Sequence, residues 1–283
     1  MTDIVYLNGD YCKAADAKIS VFDRGFLFAD AVYEVIPVYK GHLFRVDSHL
    51  KRLEASLAHA RIPQPQINWL SVFKTLIQQN GSGDLQIYLQ VTRGNQGVRK
   101  HDIPEEIVPS VIAYTLHNPY PTLEAKQRGL HANLVEDIRW LRCDIKTTAM
   151  LANVLVNDDA VANGANTAIL SRNGHLTEGS ASNVFLVDRV GRICTPPLDN
   201  LCLPGITRQI TIELIKALDW PLFEEKIPTH SIFDAQEVWI TSTAKEIYPV
   251  TRVNNSLIGD GCGGMYWSQL NEKYQLLIKN THD

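Results

Sequence analysis

Cysteine is scarce and poorly placed for any covalent or metallic framework. Five residues, Cys12, Cys143, Cys194, Cys202 and Cys262, are spread over 283 positions. Their number is odd, no C-x-x-C pair occurs and no histidine cluster completes a zinc spacing, so neither a disulfide scaffold nor a structural metal is expected. Free thiols point to a reducing, cytoplasmic location. No apolar run approaches the ~18 residues of a membrane span. Asp3 and Asp10 stand where a signal peptide would carry positive charge. Basic residues are not in excess either, since 27 Lys plus Arg face 31 Asp plus Glu for a formal net charge of -4. A nucleic-acid binder carries a basic footprint, so that class is set aside, while local sites for small anions stay open. GNQG at Gly94–Gly97 lacks the G-x-G-x-x-G pattern, and the chain has no Walker A or G-x-S-x-G motif, which removes the common P-loop and serine-hydrolase readings.

What is present is a chain with 45% apolar residues, long enough for two domains with separate cores. Residues 4–8 and 18–22 and the stretch Ala31–Tyr39 read as strands. A helix follows from Asp47, with Leu50, Leu53 and Leu57 on one face and Asp47 or Ser48 as cap. Ile67–Gln78 reads as a second helix, with Leu70, Phe73 and Ile77 at helical spacing. Leu85–Thr92 alternates cleanly and Val111–Thr115 pairs in the same sheet. Pro119 and Pro121 mark a linker. The expected division is 1–118, an interdomain linker at 119–129, and 130–283. In the second domain, His131–Glu136, Ala168–Leu170, Asn183–Val187 and Glu237–Thr241 read as strands. Ala149–Val161, carrying Leu151, Val154 and Leu155, and Ile206–Leu218 read as helices.

Four groups could carry chemistry. Lys146 ends the polar segment EDIRWLRCDIK, where a partly buried amine could form a Schiff base with a carbonyl; a solvated lysine on a salt-linked strand edge is the plain alternative. Glu178 sits in the small-residue turn TEGSASNVF, suited either to a protonated heterocyclic nitrogen or to an ordinary capped turn. LPGITR opens a helix whose amides at Ile206 and Thr207 can cradle a phosphate, with Arg52 and the hydroxyls of Thr241–Thr243 as further contacts. Arg99 and His101, one residue apart in an extended loop, can face one carboxylate or can form a mobile basic loop.

In combination these segments resemble the fold-type IV aminotransferases that use pyridoxal phosphate, and within them the D-amino-acid group. DRGFLFADAVYEV (Asp23–Val35), HLKRL (His49–Leu53), VTRG (Val91–Gly94), EDIRWLRCDIK (Glu136–Lys146), TEGSASNVF (Thr177–Phe185), LPGITR (Leu203–Arg208) and TSTAKEIYPV (Thr241–Val250) carry the resemblance in order along the chain. It implies a two-domain α+β fold with the cofactor at the domain interface and a homodimer with shared active sites. Lys146 would be the Schiff-base lysine, Glu178 would face the pyridine nitrogen, and Leu203 would pack beside the ring. Arg52, Ile206, Thr207, Ser242 and Thr243 would hold the phosphate. Tyr33, with Arg99 and His101 from the partner subunit, would bind the substrate carboxylate. The implied reaction moves an amino group between a D-amino acid of the D-alanine type and a 2-oxo acid of the 2-oxoglutarate type. Branched-chain L-amino-acid transamination, (R)-amine transamination and aminodeoxychorismate lysis share the fold and are the alternatives. Two departures from the group's pattern are Pro37, where a lysine is usual, and one extra residue in the loop Asn95–His101.

Overall fold

Alternation in LQIYLQVT builds the middle of the first sheet. Leu85, Ile87, Leu89 and Val91 are all buried, on the single face that a period of two requires. The computed structural model describes residues 3–280, so positions 1–2 and 281–283 of the expected domains lie outside the described residues. The chain divides into two units, 3–119 with Ile145–Met150, and Tyr120–Asp144 with 151–280.

In the first unit the elements run β1 (Ile4–Leu7), β2 (Asp10–Lys13), α1 (Arg24–Phe28), β3 (Ala31–Tyr39), β4 (His42–Leu43), α2 (Val46–Ala60), α3 (Trp69–Asn80), β5 (Leu85–Thr92) and β6 (Ser110–Leu116). The strands form an antiparallel sheet in the order β2-β1-β6-β5-β3-β4. Leu53 and Leu57 from α2 and Phe73 and Leu76 from α3 share a core with Ile36, Ile87 and Val91. Leu70 is exposed, not core, because the buried face of α3 runs through Val72, Phe73, Leu76 and Ile77. Neither Asp47 nor Ser48 caps α2; the cap residue is Arg45, at φ 55 and without a side-chain cap bond.

Residues 18–22 form no strand. The partner of β1 is β2, turned back through Asn8 and Gly9, both at positive φ. Pro37 sits within β3 without breaking it. Its carbonyl accepts from Phe44 N at 2.9 Å, so its nitrogen faces the same edge, beside the two-residue β4, where a missing N–H is tolerated.

In the second unit the order is α4 (Leu123–Arg128), β7 (Leu130–Glu136), α5 (Leu151–Ala162), β8 (Thr167–Arg172), β9 (His175–Gly179), β10 (Asn183–Val187), β11 (Ile193–Thr195), α6 (Ile206–Ala217), β12 (Leu222–Glu224), β13 (Glu237–Ser242), β14 (Glu246–Val253), β15 (Ser256–Leu257) and α7 (Met265–Asn280). The sheet is mixed, ordered β12-β11-β10-β13-β14-β7-β8-β9, with β15 on β14. Two units of mixed helix and sheet give the expected α+β class.

Three features of the second unit and its neighbour bear on the site, two of them differences from the sequence-based expectations. Residues 119–129 are not an open linker. Leu123–Arg128 is helical, capped by the Thr122 hydroxyl, and buried Lys126 pairs with Glu246 and donates to Asn271 Oδ1 at 3.0 Å. Helix α5 buries Val156 and Ala160, whereas Leu151, Val154 and Leu155 are exposed. Finally, Ile145–Met150 groups with the first unit, so Lys146 does not belong with 130–283. Hydrogen bonds from Tyr33 N to Lys146 O (2.9 Å) and from Thr148 N to Ala31 O (3.1 Å) attach that segment to β3, and Ile145 enters the first core.

Candidate active site

Strand β3 positions the first group of side chains. Because successive residues point to opposite faces, Val32 enters the core while Tyr33 faces the other side of the sheet. There it stacks on Tyr88, at 5.7 Å between ring centroids, and Tyr88 stacks on Tyr114 at 4.9 Å. The Lys146 ammonium lies 4.2 Å from the centre of the Tyr33 ring, and the Tyr33 hydroxyl reaches Met150 Sδ at 3.1 Å. Lys146 N donates to Ser56 Oγ at 3.3 Å. Fixed by the strand on one side and α2 on the other, the lysine presents its amine from a backbone with little freedom.

Arg52 and His49 reach β3 from α2. Both are buried, as is Glu34. Arg52 Nε and Nη2 hold the two Glu34 oxygens at 2.7 and 2.8 Å, and His49 Nδ1 pairs with Glu34 Oε2 at 2.8 Å. Burial pushes the Glu34 carboxyl up, but the Arg52 guanidinium and then His49 outweigh it and hold the group well below the usual carboxylate range. Burial pushes the His49 imidazole down despite Glu34. The result is a rigid, oriented Arg52 held to the same strand as Tyr33.

A second group forms in the other unit around Asn183, the first residue of β10. Its amide donates to Glu178 Oε2 at 3.1 Å and to Leu203 O at 2.9 Å, and Leu203 N donates to Glu178 Oε2 at 3.1 Å. Asn183 pairs across the sheet with Thr241, which brings the β13 end, Ser242 and Thr243, alongside. Gly205 is the N-cap of α6, and a Cβ there would lie 2.0 Å from Asn183 Oδ1. This explains why glycine precedes Ile206 and Thr207. The amides of that first turn have no intrahelical acceptor. The Ser242 hydroxyl accepts from Lys245 N at 3.2 Å.

Glu178 is held by a chain of charges. Arg139 Nη1 pairs with Glu178 Oε1, and Arg139 clasps Asp137 through Nε (2.9 Å) and Nη2 (2.8 Å). Asp137 also accepts from the Thr177 hydroxyl at 2.8 Å and pairs with Arg172 at 3.2 Å. Burial pushes Glu178 up to about 6, with Arg139 opposing. Burial likewise raises Asp137, yet Arg139 keeps it below its ordinary value. Glu178 is therefore ionised at neutral pH, with three donors on its four lone-pair positions and one on Oε1 left over.

Arg99 and His101 form a third group, on the loop after β5. Both pack on Phe28, the guanidinium 5.2 Å from the ring centre and the imidazole at the same distance between centroids. Sequence reasoning missed Glu34, His49, Arg139 and Asn183 as site residues, although each lies in or beside a quoted motif. Their roles depend on partners distant in the chain, such as Glu178 at a separation of 39 positions from Arg139.

The side chains fit a pyridoxal phosphate. An amine on a fixed backbone matches its aldehyde, and a buried carboxylate with one acceptor position to spare matches a protonated ring nitrogen. Helix-end amides and hydroxyls match a phosphate, and the Thr241 hydroxyl, on the strand that ends at Ser242, is buried without a hydrogen-bond partner. Among the described residues no helix is long and apolar enough to cross a membrane.

Comparison with known proteins gives the chain its family. The model of the family Amino-transferase class IV matches residues 31–253. A D-alanine aminotransferase from Staphylococcus haemolyticus is 36% identical over 281 residues, 98% of each chain. One from Bacillus licheniformis is 37% identical over 279 residues, 98% of this chain and 96% of that one. The branched-chain amino acid aminotransferase of Escherichia coli superposes with a TM-score of 0.88 at 26% identity, covering 98% of this chain and 95% of its own. A branched-chain amino acid aminotransferase from T.th., solved with pyridoxamine 5'-phosphate, gives 0.86 at 26% identity, covering 97% and 93%. The chain belongs to the class IV aminotransferases, the pyridoxal-phosphate enzymes of fold type IV.

Proposed function

We propose that this aminotransferase moves the amino group of a D-amino acid of the D-alanine type to a 2-oxo acid of the 2-oxoglutarate type, giving pyruvate and D-glutamate. The observation that carries the reading is the end-to-end identity of 36–37% to D-alanine aminotransferases, against 26% to the branched-chain enzymes. When bound, the cofactor supplies an electron-withdrawing ring that stabilises charge at the substrate Cα. Lys146 would hold it covalently and, as a free amine, would move the proton from the substrate Cα to the cofactor's aldehyde-derived carbon on one face. Its short tether to β3 replaces a diffusing base. Glu178 accepts the ring N–H and keeps that nitrogen protonated. Arg52, Ile206, Thr207, Ser242 and Thr243 hold the phosphate, and Leu203 packs against the ring.

Tyr33, Arg99 and His101 bind the substrate carboxylate, the last two in the partner subunit's site. Their side of Cα fixes which enantiomer turns its hydrogen toward Lys146. A homodimer is part of this reading, and the exposed apolar side chains Val21, Phe22 and Phe26 in one unit and Leu151, Val154 and Leu155 in the other supply surface for it. The five free cysteines fit a cytoplasmic location.

The test is a half-reaction followed in the visible spectrum of the holoenzyme, with D-alanine, L-alanine and L-leucine in parallel and no acceptor. Loss of the cofactor's absorption band with D-alanine alone is expected. Conversion by L-leucine with no response to D-alanine would place the chain with the branched-chain enzymes instead.

A further inference from the structure

Arg24, in the short helix α1, is almost fully buried. It makes no contact that the proposed chemistry uses, yet both terminal nitrogens of its guanidinium donate to one loop. Nη1 donates to Gln96 Oε1 and Lys100 O, both at 2.7 Å, and to Asp102 O at 3.2 Å. Nη2 donates to His101 O at 3.2 Å. The guanidinium also lies 5.0 Å from the centre of the Phe28 ring, on which Arg99 and His101 pack. The carbonyls it grips belong to three consecutive residues beginning directly after Arg99. None of residues 96–102 lies in a helix or strand, so this side chain supplies anchoring that a ladder would otherwise give.

The other end of Arg24 is equally fixed. Nε donates to Asp30 Oδ2 at 2.8 Å. Arg93 holds the same carboxylate at 2.7 and 2.9 Å and donates to Ala60 O, at the end of α2, at 2.7 Å. Around Arg24 the chain has little slack. Asp23 caps α1 at Gly25 N (2.8 Å) and accepts from the Ser110 hydroxyl at 2.6 Å, and a Cβ on Gly25 would lie 2.4 Å from Thr92 Cγ2. Asp-Arg-Gly at 23–25 thus reads as cap, anchor and close approach.

We propose that Arg24 is a positioning residue for substrate specificity. It sets the backbone path of residues 96–102 and so the direction from which Arg99 and His101 meet a substrate carboxylate. The role rests on the reading of Arg99 and His101 as carboxylate binders. A guanidinium can serve because it offers five donors in one rigid plane; a lysine could satisfy Asp30 or the carbonyls but not both.

The test uses the holoenzyme and the variants Arg24→Met, Arg24→Lys, Arg99→Ala and the double variant Arg24→Met/Arg99→Ala. Limited trypsin digestion with the cuts mapped by mass spectrometry reads the loop directly. Cleavage after Arg99 or Lys100 is expected to rise about tenfold in Arg24→Met, and less in Arg24→Lys, as charge-assisted hydrogen bonds are lost. Cleavage elsewhere stays as it was. In steady state the KM for D-alanine is expected to rise about tenfold with kcat changed by less than about threefold. The double variant should be no worse than Arg99→Ala, because the two act through one contact. Unaltered cleavage in both Arg24 variants, or losses that multiply in the double variant, overturn the role of Arg24. An Arg99→Ala enzyme with an unaltered KM for D-alanine overturns the carboxylate reading itself, whatever the cleavage map shows. If Arg24→Met does not fold, Arg24→Lys carries both measurements.

Discussion

Glu178 keeps a charge that its surroundings resist. Buried carboxylates favour the neutral form, and a midpoint of about 6 leaves this one ionised at neutral pH by a narrow margin. The Arg139 guanidinium supplies that margin, anchored in turn by Asp137. The direction of the pH effect follows. Arg139 lowers the Glu178 midpoint, so Arg139→Met raises it above about 6, and at pH 7 a large share of the carboxyl becomes protonated and ceases to accept a ring N–H. Carboxyl chemical shifts of apoprotein labelled with carbon-13 at glutamate would follow this titration. An upward displacement is expected, and an unmoved midpoint would separate Arg139 from the ionisation of Glu178. The same reasoning in the other unit explains why Glu34 stays charged although it is fully buried: Arg52 engages both of its oxygens.

Among the elements, α3 shows how burial, not apolar character alone, decides what a side chain contributes. Phe73 and Leu70 are both large and apolar, yet Phe73 is 0% exposed and Leu70 40%. Phe73→Ala is expected to cost about 3–5 kcal/mol through lost burial and the cavity left behind, whereas Leu70→Ala should stay within roughly 0.5 kcal/mol. Urea unfolding of the two variants checks the contrast, and equal losses would contradict the assignment of the core face. The strands with strong alternation or β-branched runs, Ala31–Tyr39 and Leu85–Thr92, were legible from pattern because that pattern is the burial itself. Strand β2 (DYCK) was not, since a short polar edge strand buries too little to leave a period. Residues 18–22 misled for the opposite reason: their apolar side chains, Ile19, Val21 and Phe22, are exposed. Helix α5 was legible as an element, and its spacing did not show that Leu151, Val154 and Leu155 turn outward. As for the candidate site, Lys146 and Glu178 stood out through the residue types their chemistry demands. Arg24, Arg139 and Asn183 did not, because a hydrogen bond between distant segments leaves no local trace.

Across the whole molecule, the candidate residues are divided between the two units. Lys146, Tyr33 and Arg52 belong to one, and Glu178, Leu203 and the start of α6 to the other. Lys146 comes from a six-residue excursion, Ile145–Met150, flanked on both sides by chain of the second unit. That excursion is why a division by sequence order assigns the lysine to the wrong unit. The tether to β3 makes Lys146 the amine on which the chemistry depends, and among the described residues its ammonium faces an aromatic ring, with no carboxylate ion-paired to it. Reduction of the holoenzyme with borohydride, followed by digestion and mass analysis of the peptides, tests this most directly. A pyridoxyl group on Lys146, absent from Lys146→Ala together with turnover, is the predicted result. The same group on another lysine, or full activity in Lys146→Ala, would contradict it.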